Sequence, residues 1–222
     1  MTSFFKSSIG QKFGMALSAI FLMIFLIQHF TINITSIFSP ELFNYLSHFM
    51  GTNPMVQFIL QPLLISGVIF HFTMGFYLEY QNRKARKYIY NKSEPAENST
   101  WFSRNMLLSG LVILAFLILH FIDFWFPEIN HKYIQFLPEN SNRYYSELIE
   151  KFKNPFRVTA YCISFILLSM HLLHGFNSSI KSIGVDKYYI KSIKKLSLLY
   201  SIGIPFGFCL IALIHHLKHY KI

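Results

Sequence analysis

The chain has 222 residues, of which 53% are hydrophobic and 14% charged, and its formal net charge at pH 7 is +10. This composition argues against an ordinary soluble domain, in which about 25% of the residues are charged. An excess of positive charge is typical of nucleic-acid-binding proteins, but here it flanks apolar segments, as in membrane proteins. We therefore expect the lipid bilayer, and no nucleic acid, as a partner of the chain.

Five apolar segments follow one another along the chain. A helix that crosses a bilayer needs about 20 mostly apolar residues, and such segments occupy residues 11–35, 56–80, 104–126, 156–178 and 196–216. Lys and Arg are absent from the interiors of these segments, because charge at mid-bilayer is strongly unfavourable. The sequence therefore predicts an all-α integral membrane bundle of five transmembrane helices that forms a single domain over 1–222.

Basic residues are concentrated in the segments that would share one side of the membrane. Two lie near the N-terminus, six in 81–104 and five in 179–195, which is 13 of the 20 Lys and Arg residues. Such residues near helix ends mark the cytoplasmic side. We therefore expect a cytoplasmic N-terminus and, after five spans, a C-terminus outside. No small-residue cleavage site follows the first span, so we expect it to be retained rather than removed as a signal peptide.

The first four spans each carry a histidine, in two matching patterns. The run Phe-Leu-Ile-x-His-Phe occurs at 25–30 and at 116–121, where it contains His29 and His120. The run His-x-x-x-Gly-Phe begins with His71 and again with His171. An imidazole in hydrocarbon is unfavourable without a partner, so four matched histidines indicate a common function. The last span lacks such a histidine, and we expect it to be a peripheral helix beside a four-helix core.

Depth in the membrane sorts the four histidines into two levels. His29 and His120 lie about 16 to 18 residues from the cytoplasmic starts of their spans, in the outer half, by the rise of the helix. His71 and His171 lie about seven to nine residues before the cytoplasmic ends of theirs, which places the two levels about 10–15 Å apart. Two histidines from different helices at each level are typical of two bis-histidine haems in a four-helix core. The sequence has no C-x-x-C-H motif, so the haem is expected to be non-covalent.

Glycines adjoin the histidines of the second and fourth spans. Gly75 and Gly175 each lie one turn after the histidine on the same helix face, and Gly67 lies one turn before it in the second span. A surface without side chains leaves room for a flat macrocycle, although small residues at this spacing also serve close helix packing. His174 is the alternative to His171 as a ligand. His171 is preferred because its glycine matches that of the second span.

The remaining histidines and acids receive simpler interpretations. His48 and His131 fall in outer loops, and the histidines at 215, 216 and 219 lie at the outer end of the last span. We expect these five to be solvated or interfacial. Asp123, one turn after His120, is the only acid well inside a span. A zinc or copper transporter usually adds several acids to its histidines, so this class stays an alternative with weak support.

Together these motifs resemble the di-haem cytochrome b membrane anchor of succinate dehydrogenase and fumarate reductase, in its single-chain, five-span, Bacteroidetes-like form. The resemblance covers the whole chain. It rests on the two Phe-Leu-Ile-x-His-Phe runs, on Ser-Ser-Ile-Gly-x-Lys at 7–12, on His-Phe-Ile-Asp-Phe-Trp at 120–125 and on His-Leu-Leu-His-Gly-Phe at 171–176. It implies that His29 and His120 bind a distal haem b, and that His71 and His171 bind a proximal haem b nearer the cytoplasm.

The resemblance also implies a place in a larger enzyme of the bacterial cytoplasmic (inner) membrane. The chain would dock an iron-sulfur subunit on its cytoplasmic face, and that subunit would carry a flavoprotein subunit with the succinate or fumarate site. Electrons would pass between these subunits, the haems and a quinone, with menaquinone expected. The chain itself has no flavin or cluster motif and no complete activity alone. The alternative within this class is the cytochrome b of a hydrogenase or formate dehydrogenase.

A quinone site near the distal haem needs a proton donor. Asp123 lies one turn beyond His120 and beside Trp125 at the outer end of the third span. We expect Asp123 to handle protons or to hydrogen-bond a quinone carbonyl. The open alternative is a helix-end acid that bonds the neighbouring loop or orients a ligand.

Overall fold

The computed structural model describes residues 7–86, 105–185 and 189–219, which contain helices and no strand. Within these ranges the helices are α1 (Ser8–Phe38), α2 (Pro40–Thr52), α3 (Gln61–Arg86), α4 (Met106–His120), α5 (Arg143–Phe152), α6 (Pro155–Ser182) and α7 (Ile190–His219). A π-helical turn, Val56–Leu60, precedes α3. Helix α4 continues through Phe121–Trp125, Phe126–Ile129 and Asn130–Ile134, of which the first and last are π-helical; we name this stretch the α4 extension.

Five of the described helical stretches are long and apolar enough to cross a membrane, namely Ser8–Phe38, Val56–Lys84, Met106–Ile134, Pro155–Ser182 and Lys191–Lys218. They confirm the five predicted spans and the all-α membrane bundle. Most of these helices run past the predicted apolar segments, because polar residues at the membrane surface can continue a helix. The predicted start of the third span, residue 104, lies outside the described residues. Large apolar side chains such as Ile166 and Leu199 are exposed on the outside of the bundle, as expected for lipid-facing surfaces.

Short polar sequences set where the helices begin. Ser7 caps α1 by accepting a hydrogen bond from a backbone N–H of the first turn. Ser39 does the same for α2, and Asn154 for α6. In α2 and α6 the next residue is proline, Pro40 or Pro155, which lacks an N–H where the helix has no partner for one. These local signals are independent of the apolar pattern and bound the spans.

Four helices form a closed ring in the order α1, α3, α4, α6, in which each packs against the next. Helix α1 therefore lies diagonally across from α4, and α3 from α6. Helix α7 packs against α1 and α6 outside this ring. The Tyr200 hydroxyl of α7 donates to the backbone oxygen of Met23 at 2.8 Å. A Cβ at Gly207 would clash with the ring of Phe30, so only glycine permits this approach of α7 to α1. The expected core of four helices with a fifth, peripheral helix is confirmed.

The connections at the end of the bundle where α1 finishes are helical rather than irregular. Helix α2 occupies much of the segment between the first two spans, and it packs against α5. Leu148 and Phe152 of α5 are buried against the bundle, and Glu128 of the α4 extension forms an ion pair with Arg143 of α5. The expectation of loops around His48 and His131 is therefore wrong. His48 lies in α2 and His131 in the α4 extension, and the buried apolar side chains of α2 and α5 cover this end of the bundle.

Candidate functional site

The four core histidines form two pairs, each across a diagonal of the ring. The rings of His29 (α1) and His120 (α4) have centroids 5.7 Å apart, and those of His71 (α3) and His171 (α6) have centroids 6.3 Å apart. We name the first the distal pair. The second is the proximal pair, since it lies nearer the end of the bundle at which α1 begins. The pairing predicted from depth is thus the pairing that the structure contains.

The spacing within each pair fits a metal ion shared by two imidazoles. A ligating nitrogen lies about 2 Å from its metal ion and the ring centre about 1 Å further out, so two such rings have centroids about 6 Å apart. Both measured separations are close to this value. Among the described residues, no group of three or more His, Cys, Asp or Glu side chains could hold a metal ion. Two imidazoles that face each other at this separation can hold a metal whose remaining ligands are not side chains, as in haem.

Two serines bond the proximal pair from neighbouring helices. Ser18 Oγ of α1 lies 3.1 Å from His71 Nδ1, and Ser109 Oγ of α4 lies 3.2 Å from His171 Nδ1. Each serine precedes the distal histidine of its own helix by 11 residues, and this stretch of helix is about 16 Å long. The two histidine levels are therefore about 16 Å apart along the helices, slightly more than the expected 10–15 Å. Sequence reasoning missed both serines, although their shared spacing from a histidine was a usable signal.

The glycines beside the proximal pair differ in what they face. A Cβ at Gly75 would lie 3.7 Å from the methyl group of Met15, and one at Gly175 would lie 3.6 Å from that of Met106, which are ordinary contacts. A Cβ at Gly67 would lie only 2.7 Å from a phenylalanine ring of α1. Gly67 therefore serves close helix packing. Methionine ends are flexible, so the surfaces at Gly75 and Gly175 can still accommodate the edge of a macrocycle.

Aromatic rings surround the distal pair. Phe25 stacks on His29 with ring centroids 5.4 Å apart, and the ring centroids of Phe116 and His120 are 5.9 Å apart. The first phenylalanine of each repeated run therefore packs against the histidine of the same run. The ring centroid of Phe208 in α7 lies 5.7 Å from that of His29, so α7 also contacts the distal pair. His120 Nδ1 is buried without a hydrogen-bond partner, which is uncommon for a buried polar atom.

Asp123 lies in the first π-helical turn of the α4 extension, and its side chain is fully buried. Its Oδ2 accepts a hydrogen bond from the Tyr161 hydroxyl at 2.9 Å and lies 3.0 Å from Arg157 Nε, both on α6. The Tyr161 ring is 6.4 Å from the His120 ring, so the acid is connected to the distal pair. Its Oδ1 is buried without a partner. The acid therefore bonds a neighbouring helix and retains one oxygen for a further donor.

Among the other described histidines, His174 and His215 bear on the expectations. His171, not His174, faces the histidine of α3. His215 of α7 is 1% exposed, and its Nε2 lies 2.9 Å from Ser36 Oγ of α1. Its ring packs against Tyr145 of α5. The expectation that His215 is solvated or interfacial is therefore wrong, because the helices of the connecting segments cover this end of the bundle.

A cavity of about 330 Å³ opens between α1 and α3. Phe70 and Met74, which flank the proximal histidine of α3 in sequence, form part of its apolar wall. Gln11, Tyr77 and Gln81 supply amide and phenol groups to the lining. Such groups can bond a carbonyl or a carboxylate. The cavity therefore combines an apolar wall with polar groups near the end of the bundle where α1 begins.

Comparisons of the chain with protein-family models, with curated proteins and with solved structures find no match. The chain does contain an internal repeat, which relates α1 to α4. Four residues of α1 that build the two levels recur in α4 at a constant offset of 91 positions: Met15, Ser18, Phe25 and His29 correspond to Met106, Ser109, Phe116 and His120. The site is thus built twice from one pattern, and the second copy crosses the core opposite the first.

Proposed function

We propose that the chain is the membrane-anchor, di-haem cytochrome b subunit of a succinate:quinone oxidoreductase, that is, of a succinate dehydrogenase or fumarate reductase. The observation that carries this proposal is the arrangement of the four histidines. They face each other in two pairs across the diagonals of a membrane-spanning four-helix core, with ring centroids 5.7 and 6.3 Å apart. The sequence resemblance supplies the class of enzyme.

Two haems b are the cofactors that suit this arrangement. A bound haem supplies a one-electron carrier, and two levels about 16 Å apart would bridge about half of a hydrocarbon core of about 30 Å. His29 and His120 would ligate the distal haem, and His71 and His171 the proximal haem. The chain's own part is to fix the imidazole rings and to surround them with apolar side chains, the features by which a protein tunes a haem.

Partner subunits would perform the dicarboxylate chemistry. The basic segments 81–104 and 179–195 join the helices at the proximal end, where α1 and α7 begin and α3 and α6 finish. Their charge supports docking of an iron-sulfur subunit at this end, with a flavoprotein subunit bound to it in turn. By the positive-inside rule this is the cytoplasmic face of a bacterial inner membrane, and the C-terminus lies outside.

Menaquinone is the proposed electron partner at the distal end. Catalysis there requires groups that move protons beside the electron carrier. Asp123 and Tyr161 are hydrogen-bonded to each other next to the distal pair, and the second carboxylate oxygen of Asp123 has no partner. We therefore propose that this acid serves the quinone reaction, with Arg157 holding its charge in the buried position.

A reduced-minus-oxidised spectrum of the purified membrane protein tests the proposal. We expect a low-spin b-type signal and two haems per chain. His171→Ala should lower the content to one haem, whereas His174→Ala, the matched control one turn away, should retain both. Absence of b-type haem from the wild-type protein would refute the cytochrome function. Co-purification with a covalent-flavin subunit is expected, and a hydrogenase or formate dehydrogenase subunit in its place would overturn the assignment to succinate oxidation.

A further inference from the structure

We infer that Ser18 and Ser109 are positioning residues for the proximal haem: each fixes, from the neighbouring helix, the proton and the orientation of one ligating imidazole. The inference rests on the proposed di-haem function. It concerns residues that lie outside the repeated histidine runs and that would act on a bound haem only through the imidazoles.

The direction of each serine–histidine hydrogen bond follows from a second bond made by the same hydroxyl. Ser18 Oγ donates to the backbone oxygen of Met15 at 2.9 Å, and Ser109 Oγ donates to that of Met106 at 2.9 Å. A serine hydroxyl has one proton. Because that proton is used within the helix, the oxygen can only accept from the histidine. The proton of the neutral imidazole is therefore on Nδ1.

This tautomer prepares the opposite nitrogen for a metal. With the proton on Nδ1, Nε2 of His71 and of His171 carries a free lone pair. A metal-bound histidine normally donates its other ring N–H to an acceptor, which fixes the ring and raises its basicity. The two serines provide that acceptor on both sides of the proximal pair. Both are 8% exposed, so water cannot readily replace them.

The distal pair is held differently: His29 Nε2 lies 3.5 Å from the amide nitrogen of Asn33, which is a donor and not an acceptor. His120 Nδ1 is buried without a hydrogen-bond partner, and Asp123, one turn away, bonds Tyr161 and Arg157 instead. The imidazoles of the two levels would therefore differ in how strongly they donate to a bound iron. A more basic ligand favours the oxidised metal. Loss of a serine acceptor should consequently raise the midpoint potential of the proximal haem and leave the distal one unchanged.

The test uses the full chain in its native membrane complex, with Ser18→Ala, Ser109→Ala and the double variant. Ser179→Ala is the matched control, because Ser179 is buried and donates to a backbone oxygen of its own helix. Haem content, low-temperature electron paramagnetic resonance of the ferric haems and a redox titration are measured for each. His71→Ala and His29→Ala, which each remove one level, assign the signals to the proximal and distal haems.

We expect each alanine variant to weaken proximal haem retention by about 10- to 100-fold, the usual effect of losing such a partner, and to change the signal and potential of the proximal haem only. Threonine at either position should restore both, since its hydroxyl can make the same bonds. Wild-type signals in the double serine variant would overturn the inference while leaving the di-haem function intact. Equal loss of both haems, or the same loss in Ser179→Ala, would also overturn it. A wild-type protein without haem would instead refute the proposed function.

Discussion

The buried ion pair between Asp123 and Arg157 provides a quantitative test of the distal end of the site. The carboxylate side chain is 0% exposed and the guanidinium side chain 31% exposed. Arg157→Ala would leave a buried charge with one neutral donor, Tyr161, so we expect the free energy of unfolding to fall by about 3–5 kcal/mol. Asp123→Asn leaves a guanidinium that water can reach. Its expected cost is about 1.5–3 kcal/mol, that of a hydrogen bond to a charged group.

The double variant separates this coupling from two independent losses. With both substitutions no unpaired buried charge remains, so the combined loss should be smaller than the sum of the single losses by about 2 kcal/mol. The assay is unfolding in mixed micelles with increasing SDS, followed by helical circular dichroism. Arg83→Ala is the control, because its ion pair with Glu79 is exposed and should contribute at most about 1 kcal/mol. Single losses that add within about 0.5 kcal/mol would refute the coupling.

Two further predictions concern the proximal glycines and the quinone reaction. Gly67→Ala brings a Cβ to within 2.7 Å of a ring, and should lower stability by about 1–3 kcal/mol with unchanged haem content per folded chain. A Cβ at Gly75 makes only an ordinary contact within the bundle, so Gly75→Ala should not lower the stability of the apoprotein. It should lower haem affinity, because the added methyl group occupies space proposed for the edge of the macrocycle. Unchanged haem binding would assign Gly75 to packing alone. Asp123→Asn should slow quinone reduction by about 100-fold or more with both haems bound, and unaltered turnover would remove Asp123 from the reaction.

The histidine levels were predictable because each depends on local information. An imidazole within an apolar span is conspicuous in the sequence, and the regular rise of a helix converts its position into depth. The pairs His29–His120 and His71–His171 therefore followed from counting along the spans. The five spans were predictable for a similar reason, since each needs only enough apolar residues to cross the hydrocarbon.

The contacts made by the other polar residues were harder to predict from the sequence. Ser18 is an ordinary small residue in an apolar helix until α3 is known to pack beside α1 and to carry His71 at the same level. Asp123 was identified as unusual, but its ion pair depends on α6 presenting Arg157 and Tyr161 to the α4 extension. His215 was judged by its position near the end of a span, where nothing in the sequence indicates that other helices cover it.

Partition into hydrocarbon and helical periodicity act residue by residue. For this reason the apolar segments, and the residues that are too polar to lie in them without a function, can be identified from the amino-acid sequence. The order of the helices around the core is visible only once the chain is folded. That order sets α1 across from α4 and α3 across from α6, and so converts four separate histidines into two facing pairs. It also brings a serine from each distal-pair helix to the proximal imidazoles. Such contacts depend on which packing of all the helices is most favourable, and this property of the whole chain is not carried by any one span.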